Sequence, residues 1–306
     1  MRTMPVVELT PDDQRRLAEL VETVLENCPG QTEFRYLSYV RQQLDIRTGL
    51  PYITEAFAHS DGDAVHVRNL PQFDDVERSK ILCLLLGEAI GACVAYAEYN
   101  HSYITDIRPT TLSSEKSSGV ELLSMHNDLA WASDNCRPRT LVLVPHIASG
   151  EVPKTLLAPA RDVLALLDEE TKDVLRTRQF EARSGSALSW GHERVRRMEL
   201  LVEEEGKPPV VRLNFGTYTP AAGLSPAEAE RASQALTDLS RAALEVGRRL
   251  GISIRKGESV LIPNDHCVHG RDTIQPDKCE RLLLRSYVLP DAVAARHGNT
   301  MVHLSS

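Results

Sequence analysis

Apolar residues recur at helical spacing in some segments of this chain and alternate or run together in others, which predicts a mixture of helices and strands. A first helix is predicted after Thr10, because a threonine N-cap, a proline and two acidic residues precede an apolar stripe that ends near Gly30. Three more helices are predicted over residues 34–44, 79–96 and 226–250. Ser225 and Gly251 are typical of the start and the end of the last helix.

Strand-like segments lie mainly in the second half of the chain. Apolar or alternating runs predict strands at residues 64–68, 141–144, 210–218, 260–262 and 280–289. Residues 256–259 and 264–265 read as turns, and residues 158–166 and 169–178 as short helices. The rest of residues 50–77 is predicted to be irregular, residues 103–118 a loop, and residues 291–306 a loose tail.

Composition narrows the class of protein. The chain has 306 residues, of which 42% are hydrophobic and 25% charged, as in an ordinary globular protein. Its net charge of −8 argues against a general nucleic-acid surface, and no apolar run is long enough to span a membrane. The six cysteines form no Cys-x-x-Cys pair, which predicts free thiols in a reducing compartment. With no signal-peptide pattern at the N-terminus, a cytoplasmic location is expected.

The candidate chemistry starts at His126 and Asp128, directly after an apolar run. In a strand, residues i and i+2 project from the same face, so the imidazole and the carboxylate would point to one spot. Two such groups form part of the facial triad that binds non-haem Fe(II) and leaves positions open. Alone, a His-x-Asp pair is a weak signal. His269 could supply the third ligand, because it enters a second strand-like run after the turn at residues 264–265. His266 would face the opposite side, which indicates a turn or packing residue.

Two arginines follow on one face of the last predicted strand. Arg281, Leu283 and Arg285 share a face, and Leu282 and Leu284 take the other. Guanidinium groups are costly to bury unless they meet anions, so an anionic cosubstrate beside the metal would explain them. The alternative is that one of them pairs with a nearby acidic residue.

In this order and spacing, His126, Asp128, His269 and Arg281 resemble the Fe(II)/2-oxoglutarate-dependent oxygenases of the taurine dioxygenase and clavaminate synthase-like superfamily, including arginine and asparagine hydroxylases. The resemblance covers roughly residues 80–290. It has one departure, since those amino-acid hydroxylases usually carry Glu where this chain has Asp128.

The resemblance implies the cofactors and the task of each residue. Fe(II) is expected on His126, Asp128 and His269, with 2-oxoglutarate and O2 as cosubstrates. Residues expected to bind 2-oxoglutarate are Arg281, Thr155 and Arg285, with Arg285 also reaching the acid group of the substrate. Further candidates for substrate contact are Ser117, Asn214 and Thr217, although Ser117 could equally be a solvated loop serine.

The resemblance also implies the fold and the reaction. The fold is expected to be mainly β with helical cover (α+β) on a double-stranded β-helix, or jelly-roll, core. One oxygenase domain is expected over residues 1–306, with residues 1–100 as a largely helical cover, 101–290 as the core with a helical insertion and 291–306 as a tail. The expected reaction is hydroxylation or desaturation of a small amino-acid-like substrate, free or held by a carrier protein, with release of succinate and CO2.

Three alternatives remain at this point. One is an oxygenase acting on a sulfonate or another small organic acid. A second is a metal-dependent, non-oxidative enzyme of the cupin type, in which Arg281 would have no task. A third is a binding protein that retains the fold without catalysis.

Overall fold

The computed structural model describes residues 4–30, 32–98, 101–110, 118–184, 195–214, 217–298 and 301–304. The helices are α1 (Pro11–Asn27), α2 (Glu33–Gln43), α3 (Ile46–Gly49), α4 (Pro51–Ala58), α5 (Val76–Ile90), α6 (Ala160–Leu164), α7 (Glu169–Leu175), α8 (Pro226–Leu250) and α9 (Asp291–Ala294). The strands are β1 (Val6–Glu8), β2 (Val65–Arg68), β3 (Ala92–Tyr96), β4 (Ile104–Ile107), β5 (Leu123–His126), β6 (Thr140–Gly150), β7 (Thr155–Pro159), β8 (Phe180–Arg183), β9 (Val195–Met198), β10 (Leu201–Val202), β11 (Val210–Val211), β12 (Tyr218–Pro220), β13 (Ser259–Pro263), β14 (Cys267–Arg271), β15 (Cys279–Leu289) and β16 (Met301–Val302).

Most strands belong to one large sheet and one small sheet. The large sheet has the order β1-β2-β13-β6-β15-β3-β16, and β4 pairs with β15 outside this path. The small sheet has the order β5-β14-β7 and carries both predicted histidine ligands, because His126 pairs directly with His269. A second three-stranded sheet has the order β12-β8-β9, and β10 pairs with β11. The fold is therefore a mixed one of helices and sheets.

Two apolar cores lie on opposite faces of the large sheet. The inner core joins this sheet to the small sheet and to α8, and it includes Leu143 from β6, Leu283 from β15 and Leu157 from β7. The outer core lies between the large sheet and the N-terminal helices, and it includes Leu282 and Leu284. The alternation predicted for β15 is thereby confirmed, because neighbouring residues enter different cores.

Local signals defined the long helices correctly. Helix α1 starts with a capping box, in which the Thr10 hydroxyl accepts from the backbone of Asp13 and the Asp13 carboxylate accepts from the Thr10 N–H. Helix α8 begins in the same way at Ser225. Its buried side packs closely on the small sheet at Gly247, where an added Cβ would lie 2.7 Å from Cε of Met125. None of the helices in the described ranges has both the length and the apolar character that crossing a bilayer requires.

The helix predicted over residues 79–96 is confirmed as far as Ile90 and is wrong beyond it. Helix α5 ends at Ile90, and the next residues form β3, which pairs with β15. Gly91 brings the chain against that strand, because a Cβ at this position would lie 2.6 Å from the carbonyl oxygen of Leu289. Continuous apolar sequence fits a buried helix and a buried strand equally well, and the available pairing edge decided between them.

The loose tail predicted for residues 291–306 is also wrong. Residues Asp291–Ala294 form α9, and Met301–Val302 form β16, a parallel partner of β3. Val302 and Leu304 are buried in the inner core. The short helix α4 likewise occupies part of the segment predicted to be irregular, and β4 lies within the predicted loop.

Candidate active site

Three predicted ligands converge at the small sheet. His126 is the last residue of β5, Asp128 lies in the turn that follows, and His269 lies on β14. Oδ1 of Asp128 is 3.2 Å from Nε2 of His126 and 3.8 Å from Nε2 of His269. The three potential ligand atoms lie within 4.8 Å of one another, and no other such group of three occurs in the described part of the chain. This spacing fits a single metal ion.

Two buried asparagines hold the turn that carries Asp128. The side-chain carbonyl of Asn264 accepts from the Asp128 N–H at 2.9 Å, and its amide donates to the carbonyl oxygens of Asp128 and Pro138. Asn127 donates to the carbonyl oxygen of Asn264 and accepts from the N–H of Leu213 at 2.8 Å. The His-x-Asp turn is thus tied to the turn between β13 and β14, which leads to His269.

The ionisation states of the triad suit a divalent metal. Nδ1 of His126 faces the carbonyl oxygen of Ser124 at 2.8 Å, and because a carbonyl only accepts, Nε2 keeps its lone pair for a ligand bond. Burial, together with neighbouring His126, lowers the pKa of His269 to about 3 against the opposing effect of Asp128, so its imidazole is neutral. Burial by itself would raise the pKa of Asp128, but Arg285 and the two histidines hold it well below its usual range.

The second oxygen of Asp128 has partners that the sequence did not suggest. Nη1 of Arg285 donates to Oδ2 of Asp128 at 2.8 Å, and the Tyr287 hydroxyl donates to the same atom at 3.1 Å. The Arg285 guanidinium also lies over the Tyr287 ring, 4.7 Å from its centroid. These contacts leave Oδ1 directed at the two histidines. The predicted task of Arg285 toward cosubstrate and substrate stays a prediction.

Arg281 differs from Arg285 because it has no hydrogen bond or ion pair to any described residue. Burial, together with the nearby charge of Arg271, lowers the pKa of Arg281 to about 10. The acidic residue Asp265, a possible partner in the sequence, pairs instead with Arg137. Thr155 lies directly opposite Arg271 in the pairing of β7 with β14. The guanidinium groups of Arg281 and Arg271 fit an anion that binds from outside the chain.

The three substrate candidates have different positions. Asn214 forms an isolated antiparallel bridge with His126, so the two side chains project from the same face. The Thr217 hydroxyl donates to the carbonyl oxygen of Asn214 at 2.9 Å. Ser117 lies outside the described residues. His266, predicted to be a packing residue, has Nδ1 3.0 Å from the carbonyl oxygen of Pro209.

Sequence reasoning missed Asn127, Asn264, Tyr287 and Arg271. Each is adjacent to, or two residues from, a residue that was identified, and all four are buried by more than nine-tenths. Buried amide and guanidinium groups need partners. A polar residue one or two positions from a residue already identified was therefore the signal available.

Comparison with known proteins identifies the family. The family described as "Taurine catabolism dioxygenase TauD, TfdA family" matches residues 58–287, which include all three triad residues. The chain belongs to this family. The TauD/TfdA match and the triad confirm the predicted enzyme class, a non-haem Fe(II)/2-oxoglutarate-dependent dioxygenase. They also exclude the cupin alternative. No curated protein sequence matches the chain.

Solved structures share the fold of this TauD/TfdA member over almost its whole length. Asparagine oxygenase in complex with Fe(II), 2S,3S-3-hydroxyasparagine and succinate is 19% identical, with a TM-score of 0.79, and the match covers 97% of this chain and 99% of that one. The non-haem iron oxygenase OrfP in complex with Fe and alpha-ketoglutaric acid is 20% identical, with a TM-score of 0.72 and 96% of both chains covered. OrfP is also known with Fe, succinate and (3S)-hydroxy-L-Arg. At these identities the similarity establishes a common fold.

Proposed function

We propose that this TauD/TfdA dioxygenase hydroxylates or desaturates an unactivated C–H bond of a small amino-acid-like substrate, with release of succinate and CO2. The observation that carries the proposal is the triad of His126, Asp128 and His269 in the same site region as Arg281, an arginine without a described partner. Two imidazoles and one carboxylate leave metal positions open for a chelating cosubstrate and oxygen. The proteins that share the fold were solved with hydroxylated amino acids, which supports an amino-acid-like substrate.

Each residue has a task that follows from its donor chemistry. His126, Asp128 and His269 would hold Fe(II), which together with 2-oxoglutarate and O2 supplies the oxidising chemistry. Arg281 would bind the far carboxylate of 2-oxoglutarate, because a guanidinium matches a carboxylate through two parallel hydrogen bonds, and Thr155 would add a hydroxyl. Arg285 orients Asp128 through Oδ2 and is also proposed to meet the acid group of the substrate.

The proposed substrate side of the metal lies along Asn214. Its pairing with His126 directs the Asn214 side chain to the face that holds the triad. Thr217 would act mainly by holding Asn214, since its hydroxyl donates to the Asn214 carbonyl oxygen. Contact with Ser117 and delivery of the substrate by a carrier protein are further predictions.

We also propose that the large and small sheets form the two halves of a double-stranded β-helix, within one oxygenase domain. In support, the inner core lies between the two sheets and receives side chains from both. A cytoplasmic location is proposed as well. All six cysteines are buried free thiols, as expected in a reducing compartment.

The test is turnover of 2-oxoglutarate by the Fe(II)-loaded protein in air, with individual amino acids supplied in turn. At least one should stimulate succinate release and yield a product heavier by one oxygen or lighter by two hydrogens. His126→Ala, Asp128→Ala and His269→Ala should each abolish turnover in a folded protein. His266→Ala is the matched control, because its ring contacts the Pro209 backbone and lies outside the triad. Loss of turnover in the control equal to that in His269→Ala would mean that the wrong histidine was chosen.

A further inference from the structure

The sheet β12-β8-β9 carries an arginine on its buried face. Tyr218 pairs with Ala182, and Ala182 pairs with Arg196, so the three side chains form one row on the same face. Phe180 and Met198 project from this face as well, and both are buried in the inner core. An arginine directed into such a face needs a compensating partner.

Three hydrogen-bond donors in this region are buried without a partner among the described residues. They are Nη1 of Arg196, Nε of Arg212 and the hydroxyl of Tyr218. Tyr218 is only 3% exposed and Arg212 only 5% exposed, so water does not replace the missing acceptor on the surface. Native proteins rarely leave buried donors unsatisfied, and an absent ligand is one of the standard reasons.

These donors lie close together. Burial raises the pKa of Tyr218, and the charges of Arg212, Arg137 and Arg196 act on the same hydroxyl in the opposite direction. Arg212, Arg137 and Arg196, from separate segments, therefore lie near enough to Tyr218 for their charges to act on its hydroxyl. A group with only acceptor atoms would satisfy all of them.

The acidic residues of the region already have partners and do not neutralise it. Asp265 binds Arg137 at 2.7 Å and also binds Arg139. Asp134 binds Arg137 and Arg212, each at 2.8 Å. Among the residues that the structure describes here, the four guanidinium groups of Arg137, Arg139, Arg196 and Arg212 exceed the two carboxylates by two positive charges.

The donor group is connected to the metal site through one strand segment. Arg212 stands two residues before Asn214, which pairs with ligand His126. At the rise of a strand, two residues span about 7 Å. Leu213, between them, bonds through its N–H to Asn127 of the His-x-Asp turn. The distance along this segment is comparable to the length of a short amino-acid side chain.

We propose that Arg196, Arg212 and Tyr218 bind an oxyanion, a carboxylate or sulfonate, at the far end of the substrate. This inference rests on the proposed function and narrows its substrate class to amino acids with an acidic side chain. A cationic substrate such as arginine is disfavoured at this site, because its guanidinium would meet an excess of like charge.

The first test compares isosteric substrates with the Fe(II)-loaded protein. Succinate release is measured with aspartate, asparagine, glutamate, glutamine, cysteate and arginine. Stimulation by an acid at least about ten-fold greater than by its amide supports the oxyanion site, and cysteate against aspartate separates sulfonate from carboxylate. Preference for asparagine, glutamine or arginine would overturn the inference while leaving the proposed function intact. If no amino acid stimulates turnover, both fail.

The second test removes the donors singly. Tyr218→Phe deletes only a hydroxyl that has no partner, so the melting temperature should stay the same or rise, while KM for the acidic substrate should increase about ten-fold or more. Tyr52→Phe is the matched control, because the Tyr52 hydroxyl, on α4, is also buried without a partner. It should leave KM unchanged. A Tyr218→Phe protein with lower stability and unchanged KM would show a purely structural tyrosine.

Arg196→Gln provides an independent variant. KM for the acidic substrate should rise by at least about thirty-fold, as expected when one partner of a buried ion pair is lost. Its control is Arg197→Gln, which alters the neighbouring arginine on the exposed face of β9, where Nε donates to the carbonyl oxygen of Arg178. Equal effects of the two substitutions would contradict the site.

Discussion

Asp128 uses its two carboxylate oxygens for different purposes. Oδ1 faces the two histidines, whereas Oδ2 accepts hydrogen bonds from Arg285 and Tyr287. A carboxylate held in this way presents a single oxygen to a metal and cannot rotate freely. Partners outside the ligand set are known to orient ligands and to raise metal affinity.

Tyr287→Phe should therefore weaken Fe(II) binding by about ten-fold or more, since outer partners of metal ligands typically contribute ten- to hundred-fold. Tyr287 acts through Asp128, so the measurement is an anaerobic metal titration in addition to turnover. Tyr39→Phe, which alters a tyrosine packed against the outer core, should leave the affinity unchanged. If Tyr287→Phe binds Fe(II) as tightly as the wild type, the hydrogen bond to Oδ2 has no positioning role.

Arg281→Ala should raise the 2-oxoglutarate concentration needed for half-maximal turnover by at least about thirty-fold, because one side of a buried charge pair is removed. Arg241→Ala, on an exposed part of α8, is the control. The measurement is the steady-state dependence of succinate release on 2-oxoglutarate for both variants. An unchanged dependence in Arg281→Ala would contradict the cosubstrate assignment.

At the scale of elements, the site depends on a connection between two turns. Asn264 belongs to the turn between β13 and β14, and its side chain bonds the backbone of Asp128 and Pro138. Because its amide both accepts and donates, it fixes the Asp128 turn relative to the strand that carries His269. Leu129, directly after Asp128, has a φ of 51°, which is uncommon for a residue other than glycine.

Asn264→Ala should lower the free energy of unfolding by about 3–5 kcal/mol, since three buried backbone groups lose their partner. It should also weaken Fe(II) binding, because the ligand turn is no longer held. Chemical denaturation and metal titration measure the two effects. The control is Asn27→Ala at an exposed position of α1, where one hydrogen bond to the Thr23 carbonyl oxygen is lost. A loss no larger than in this control would show that the turns are held by other contacts.

The elements also show where local signals were sufficient. Helices α1 and α8 have strong capping boxes and an amphipathic pattern, and the structure confirms both. Strands β3 and β16 were not predicted. Their sequences have no local feature that excludes other conformations. Strand β3 pairs with β15, and β16 pairs with β3, so each strand depends on a partner that is distant in sequence.

At the scale of the whole molecule, buried histidines couple stability to pH. His66 is 3% exposed on β2, with Nε2 3.4 Å from Glu258. Burial, with a contribution from Arg68, lowers its pKa against the opposing effect of Glu258. The folded protein thus binds fewer protons at His66 than the unfolded chain does. The resulting stability is present above the unfolded pKa of about 6.5 and is lost as the pH falls below it.

We expect the metal-free protein to lose stability between about pH 7.5 and pH 5.5, by at most about 1.4 kcal/mol per pH unit for one such group. His66→Gln should reduce this slope, and His59→Gln, at an exposed position, should not. Thermal unfolding at a series of pH values measures the effect. Parallel slopes for the wild type and His66→Gln would contradict the contribution of His66.

The sequence by itself predicted the ligand set, the arginine for the anionic cosubstrate and many of the regular elements. His126, Asp128, His269 and Arg281 could be proposed from it because ligand chemistry is a property of single residues and of their order. The starts of the long helices could also be predicted, since capping and apolar periodicity act over a few residues.

Only the tertiary structure decided which distant groups meet. Arg285 contacts Asp128, and Arg196 lies in a row with Tyr218, although nothing in their local sequences favours these partners. Such contacts depend on strand register and on the burial of whole faces, and a shift of one residue would send each side chain to the opposite face. The proposed substrate class therefore follows from packing, whereas the chemistry at the metal follows from the sequence.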